Sequence, residues 1–403
     1  MASTEDVNTS HAASSSINEK GQSEFKGFIA LHIGAGYHAP CNEMKYTSVC
    51  AKACRVAMAA IREGKSAVDI VTRAVAALED SPHTNAGLGS NLTIDGTVEC
   101  DASIMDGESL EFGAVGALQG VKNPIEVARE LLVKQTEGSL SLGRIPPCFM
   151  VGEGARKWAE TQKIKMVDKT SLITDATLSN HKKYKRRLDR VGDGNSGARK
   201  RQKIDNSSNS SNSTTNGEIA DEDISGDKLL DTVGAVCLDH HGNVASAVSS
   251  GGIILKQAGR VGQASVYGCG CWSDTGIPHS VAVSTTGSGE HILKSQLAKN
   301  CAECLLNGTN AMQDTQKAFE QHFIRSRFLK QFSEKYGGAL ILKHDKEELD
   351  KVEVIWVHST ESMCVAYMSS ADKSPCATIS RLPTKPTIKA GRSILVQGKV
   401  CRL

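Results

Sequence analysis

Asp231-Thr232-Val233-Gly234-Ala235-Val236-Cys237-Leu238-Asp239, with Ser249-Ser250-Gly251-Gly252 a short way downstream, is the stretch on which the reading of this chain turns. A threonine-led apolar run starts abruptly after some fifty polar residues. Inside a chain a threonine hydroxyl is a poor nucleophile. It becomes a useful one when its own α-amine is freed to take its proton. That amine titrates at about 7.7–8.0, close to working pH, and so acts as a built-in base. The stretch therefore suggests a chain that cuts itself between Asp231 and Thr232 and exposes Thr232 as an N-terminal nucleophile. The ordinary alternative is a threonine that merely opens a strand.

Outward from Thr232, Thr232–Leu238 and Val244–Val248 read as strands around the turn Asp239-His240-His241-Gly242-Asn243. Ser280–Thr285 is another strand. Thr286-Gly287-Ser288-Gly289 then leads into a helix expected from Glu290 to Leu306, with a second from Ala311 to about Phe323. Gly338–Lys343, Val352–His358 and Cys364–Met368 close the chain as strands. Upstream, Phe28–Ile33 is a buried strand, broken by Gly34-Ala35-Gly36. Tyr46–Arg62 is a helix, and Ser66 caps another. Strands at 97–105 and 110–118 flank Asp106-Gly107. Pro124 opens a helix, and Gly152–Thr161 is helical. Strands, helices, strands, helices, strands suit a layered α+β fold.

Residues 1–26 and 168–231 are different in kind. The second segment carries the basic clusters Lys182, Lys183, Lys185, Arg186, Arg187, Arg190 and Arg199, Lys200, Arg201, Lys203, then a Ser/Asn run and an acidic patch. It is too polar to bury a core and is expected to be a mobile linker. The clusters also suit nucleic acid or an import receptor, the latter placing the protein in the nucleus, the cytoplasm or both.

The chain has 403 residues, 39% of them hydrophobic but only 4% aromatic, so the core must be aliphatic. Its net charge of +2 excludes nothing, because the basic residues are clustered. No secretory signal and no membrane span are expected. The 13 cysteines read as reduced thiols. Neither Cys269/Cys271 nor Cys301/Cys304 has metal-site spacing with histidines, so no metal and no cofactor are expected.

Three further features could carry chemistry. Ser250 could orient the Thr232 hydroxyl. Arg260, in Gly259-Arg260-Val261-Gly262, could hold a carboxylate. Backbone N–H groups at Thr286 and Gly287 could hold an oxyanion. Each has a blander reading, as a turn serine, a surface arginine and a helix start. Asn85-Ala86-Gly87-Leu88-Gly89-Ser90 is a glycine-rich turn.

Taken together and in order, these segments resemble the N-terminal nucleophile hydrolases of the type 2 asparaginase group. The matches also include His32-Ile33-Gly34-Ala35-Gly36, Asp95-Gly96-Thr97-Val98-Glu99 with Asp101–Gly107, Lys122-Asn123-Pro124 and Val151–Gly154. The resemblance implies a four-layer αββα sandwich, autoproteolysis before Thr232, and an α chain (27–231) associated with a β chain (232–403). It implies roles by position: Thr232 as nucleophile with Ser250, Thr286 and Gly287 as catalytic partners, and Arg260, Gln263, Gly289 and Asn85 as substrate contacts. Two positions depart from the group. Ile33 stands where a small residue is usual. Gln263 stands where asparaginases carry an aspartate for the substrate's α-ammonium. Gln263, Ser250, Gly268–Trp272 and Asp231 resemble the threonine aspartase branch, which implies an endopeptidase cutting proteins, nuclear regulators among them, after an internal aspartate held by Arg260. The alternatives are an L-asparaginase or isoaspartyl peptidase and a nucleic-acid-binding protein.

Overall fold

The computed structural model describes residues 25–201 and 232–403. Asp231, the Ser/Asn run and the acidic patch lie outside them, and so do residues 1–24. The first half contains β1 (Phe28–Gly36), α1 (Glu43–Arg62), α2 (Ala67–Glu79), β2 (Cys100–Asp106), β3 (Phe112–Leu118), α3 (Pro124–Thr136), β4 (Phe149–Val151), α4 (Gly152–Thr161) and α5 (Asp175–Arg201). The second contains β5 (Val233–Leu238), β6 (Val244–Ser250), β7 (Cys271–Thr275), β8 (His279–Gly287), α6 (Gly289–Ser295), α7 (Leu297–Leu306), α8 (Ala311–Phe319), β9 (Gly337–Asp345), β10 (Lys351–His358), β11 (Ser362–Ser369), β12 (Cys376–Arg381) and β13 (Leu395–Arg402).

Two sheets result. One runs β12-β11-β1-β5-β6-β2-β3-β4 and the other β13-β10-β9-β8-β7, antiparallel throughout except for the β3–β4 pair. β1, β3, β5 and β6 are buried along their whole length, as strands covered on both faces must be. Helices α1 to α4 pack on the outer face of the larger sheet, and α7 and α8 on the smaller. The inner faces meet through Phe28, Val236, Ala282, Leu340 and Trp356. This is the four-layer αββα sandwich expected from the sequence.

Polar ties cross between the sheets. His32 Nε2 lies 2.9 Å from Ser284 Oγ, and Ser273 Oγ donates to Ser246 Oγ at 2.7 Å. Gly234 permits the first of these, since a Cβ there would sit 2.0 Å from Ser284 Oγ and 2.6 Å from His32 Nε2. His32 is fully buried. Desolvation pushes its imidazole down to about 3, with the Thr232 backbone opposing, so it is neutral.

The local expectations fare unevenly. Ser66 caps α2 as expected, its Oγ accepting from Asp69 N–H at 3.3 Å. The single helix expected over 290–306 is two helices, broken at Gln296 in the left-handed region (φ 45°). β1 continues through Gly36 with a register shift between His32 and Ala35. Within the expected linker, Asp175–Arg201 is helical. Low apolar content stops a segment from packing, but Lys- and Arg-rich sequence has good helix propensity. Lys182, Lys183, Arg186, Arg187 and Arg190 line a groove on this helix. Cys269, Cys271 and Cys301 are buried free thiols, and among the described residues no His/Cys/Asp/Glu group could hold a metal. No helix among them is long and apolar enough to cross a membrane.

Candidate active site

Three neighbouring strands end together. Val233 pairs with Ile33 on one side and Ser249 on the other, and Ser250 pairs in turn with Asp101 of β2. Thr232, one residue ahead of β5, therefore stands beside the end of β6. It is 4% exposed, so its hydroxyl needs partners. Thr232 Oγ1 donates to Ser250 Oγ at 3.0 Å and accepts from Gln263 Nε2 at 3.2 Å. Ser250 Oγ also accepts from Gly252 N–H at 3.0 Å.

Thr232, Ser250, Arg260, Gln263, Gly287, Gly289 and Asn85 line one cavity with Gly252 and Ile253. Thr286, expected to act through its backbone N–H, precedes the lining residue Gly287 and is not itself among the lining residues. Its Oγ1 accepts from Ala35 N–H at 3.1 Å, tying β8 to β1. Asn85 acts as a clamp: its Nδ2 donates to Gly252 O at 2.8 Å, its carbonyl accepts from Gly251 N–H at 2.7 Å, and its Oδ1 accepts from Asn91 N–H at 2.8 Å. This fixes the glycine pair that follows Ser250.

Arg260 sits in a cradle of glycines. A Cβ would lie 3.1 Å from Nη1 at Gly252, 2.9 Å from Nη1 at Gly262 and 2.6 Å from Nη2 at Gly289. At Gly252 the φ of +72° also favours glycine. The Arg260 loop is held from below. Asp101 Oδ2 accepts from Gly262 N–H at 2.8 Å, and Glu99 Oε2 from Gly259 N–H at 2.8 Å. The buried Lys256 donates to Glu99 O at 2.6 Å. Burial raises the Asp101 carboxyl, against the opposing pull of Lys256 and two backbone N–H groups.

Sequence reading missed Glu290. Its Oε1 accepts from Arg260 Nε (2.9 Å) and Nη2 (2.8 Å). Burial raises this carboxyl, but the bonds and charge of Arg260 outweigh it and leave Glu290 below the usual carboxylate range. The only cue in the sequence was its place directly after the Thr286–Gly289 run. The cavity leaves about 10 Å³, roughly one water-sized space. Any anion reaching Arg260 must therefore displace or share with Glu290.

The asparaginase family profile, of the second asparaginase type, matches residues 23–377. The chain belongs to this asparaginase family. It is 41% identical over 248 residues to the isoaspartyl peptidase/L-asparaginase of Macaca fascicularis, covering 62% of this chain and 66% of that protein. It is 32% identical over 318 residues to the Danio rerio protein of the same name, covering 79% and 86%. It is 34% identical over 294 residues to the isoaspartyl peptidase of Salmonella typhimurium, covering 72% and 82%. The chain thus spans just under two thirds of the length of the macaque relative.

These matches overturn the endopeptidase expectation drawn from the threonine aspartase branch. It rested on a few positions, Gln263 foremost, read as substrate selectors. In the folded asparaginase-family site Gln263 is also a partner of Thr232 Oγ1, so its departure from aspartate does not by itself report a different substrate.

Proposed function

We propose that this chain is a threonine-nucleophile amidohydrolase that acts on the side-chain amide of aspartyl compounds: L-asparagine and isoaspartyl (β-aspartyl) peptides. The observation that carries this reading is the gathering of Thr232 Oγ1, Ser250 Oγ, the Gln263 amide and the Arg260 guanidinium around one cavity at the head of β5. The names of the relatives supply the substrate class.

Cleavage of the Asp231–Thr232 bond gives Thr232 a free α-amine. That amine takes the Oγ1 proton, directly or through water, while Ser250 and Gln263 hold the oxygen in place. Oγ1 attacks the β-carbonyl, and the oxyanion forms beside Gly287. The C–N bond breaks, and the leaving amine takes the proton from the Thr232 ammonium. Water then opens the Thr232 ester and releases the free β-carboxylate. Arg260 holds the substrate's α-carboxylate by parallel hydrogen bonds. Gln263, whose Nε2 is engaged by Thr232, offers Oε1 to the α-ammonium.

The test is turnover of L-asparagine, a β-aspartyl dipeptide and a peptide with an ordinary internal Asp–Xaa bond by the purified protein. The first two should be hydrolysed and the third left intact. Cleavage of the third alone would contradict the reading.

A further inference from the structure

Arg260 is gripped along one edge only. Its Nε and Nη2 both donate to Glu290 Oε1, at 2.9 and 2.8 Å. Among the described residues its Nη1 makes no hydrogen bond, and Glu290 is the only acid within ion-pair distance. Around Nη1 and Nη2 stand Gly252, Gly262 and Gly289, whose missing side chains leave the room that the guanidinium fills. Glycines give space but no hold, and an arginine side chain has much rotamer freedom to lose. The orientation of the guanidinium therefore depends on Glu290.

Glu290 pulls from the far side. Gly252, which lines the Thr232 cavity, lies against Nη1, and Arg260 and Gly289 line the same cavity. Glu290 does not line it, and its side chain is 52% exposed against 15% for Arg260. An acid inside the cavity would compete with an incoming carboxylate. Placed outside, it leaves the Nη1–Nη2 edge open, and that edge can give a carboxylate two parallel bonds. The acid itself is well anchored. Ser288 N–H donates to Tyr336 O at 2.9 Å, and Ser288 O accepts from the N–H groups of His291 and Ile292 at 3.0 and 3.1 Å. One turn thus fixes both a cavity wall, Gly289, and the partner of Arg260.

We propose that Glu290 is a positioning residue for recognition of the substrate's α-carboxylate: it holds Arg260 by the Nε–Nη2 edge and so turns the Nη1–Nη2 edge to the cavity. It acts through Arg260 and touches no reacting atom. The proposal rests on the reading of Arg260 as the carboxylate holder of an amidohydrolase. It confines the effect of Glu290 to substrates that carry a free α-carboxylate.

The test is steady-state kinetics with L-asparagine and with the same molecule amidated at its α-carboxylate, joined to calorimetric binding of L-aspartate, for wild type, Glu290→Ala and Glu290→Gln. Glu290→Ala should raise KM for L-asparagine and Kd for L-aspartate about fivefold, as loss of a half-exposed charge-assisted pair would. It should change kcat little and leave KM for the amidated substrate unchanged. Glu290→Gln, which keeps an acceptor oxygen, should recover most of the loss. An unchanged or lowered KM for L-asparagine in Glu290→Ala would overturn the proposal, since Glu290 would then be idle or a competitor. An equal rise for both substrates would overturn it too, as general loosening of the site. Weaker L-aspartate binding by Glu290→Ala, in a protein that does not hydrolyse L-asparagine, keeps the positioning role and removes the reaction. Hydrolysis with equal L-aspartate binding by wild type and Glu290→Ala does the reverse.

Discussion

Gln263 is where the nucleophile and the substrate-binding groups meet. Its Nε2 donates to Thr232 Oγ1 at 3.2 Å, and its Oε1 would lie 2.8 Å from a Cβ on Gly289, beside the Arg260 guanidinium. A neutral amide oxygen accepts from an ammonium, but more weakly than a carboxylate does. Gln263→Asp should therefore lower KM for L-asparagine and β-aspartyl dipeptides about tenfold, with a smaller change for analogues lacking the α-amine. Steady-state kinetics on the matched pair checks this, and an equal change for both would show that Gln263 acts only through Thr232. At this scale the sequence was informative where a residue type carries its chemistry locally. Thr232, Ser250, Arg260 and Gly287 could be nominated from their own neighbourhoods, whereas Gly289 and Asn85 entered through the family resemblance. Glu290 could not, because its partner lies thirty residues away on a loop whose path only the fold defines. Thr286 was nominated for its position, yet its hydroxyl faces Ala35, a contact between two sheets that no local pattern reports.

Helix α2 carries a buried acid, Glu79, that sets a limit on stability. Burial raises its carboxyl from 4.5 to about 8, opposed by Ser249, by the N–H of Ile125 (donating to Oε1 at 3.1 Å) and by Asn123. A folded pKa above the unfolded one means stability that is full below about 4.5 and lost as pH rises through about 8. His32 and His358 act in the opposite sense. Burial lowers them to about 3 and about 4, so stability falls as pH drops below 6.5 toward those values. Glu79→Gln keeps an acceptor for Ile125 N–H and removes the alkaline loss, which is on the order of 5 kcal/mol at full ionisation. Thermal melts from pH 6 to 9 should show wild-type Tm falling and the variant's nearly level. Parallel curves would contradict this. Among the elements, those with a buried apolar pattern were legible: β1, α1, α2, β2, β3, β5 and β6. β7 was hidden in Cys271–Thr275, which carries little apolar signal, and β13 is an edge strand whose residues are mostly exposed. The break at Gln296 arises from a backbone conformation that a continuous amphipathic pattern does not reveal.

The whole molecule interleaves the strands on the N-terminal side of Thr232 with those on its C-terminal side. β1 lies between β11 and β5, and β2 pairs with β6, so strands from both sides of residue 231 alternate through one sheet. A cut there would sever no layer, and the shared core would hold the two pieces together. The layered class was legible from the order of strands and helices, but the interleaving was not, since strand order is fixed by long-range pairing. The same architecture places a threonine at the head of a central strand, where a new chain end can form inside the site. The most direct measurement is intact mass with N-terminal sequencing of the purified protein beside Thr232→Ala, together with L-asparagine turnover. Two associated chains, one beginning at Thr232, with hydrolysis in wild type and a single inactive chain in the variant, is the result expected. A wild-type protein that hydrolyses asparagine while remaining a single chain, or a second chain that begins at another residue, would contradict the account.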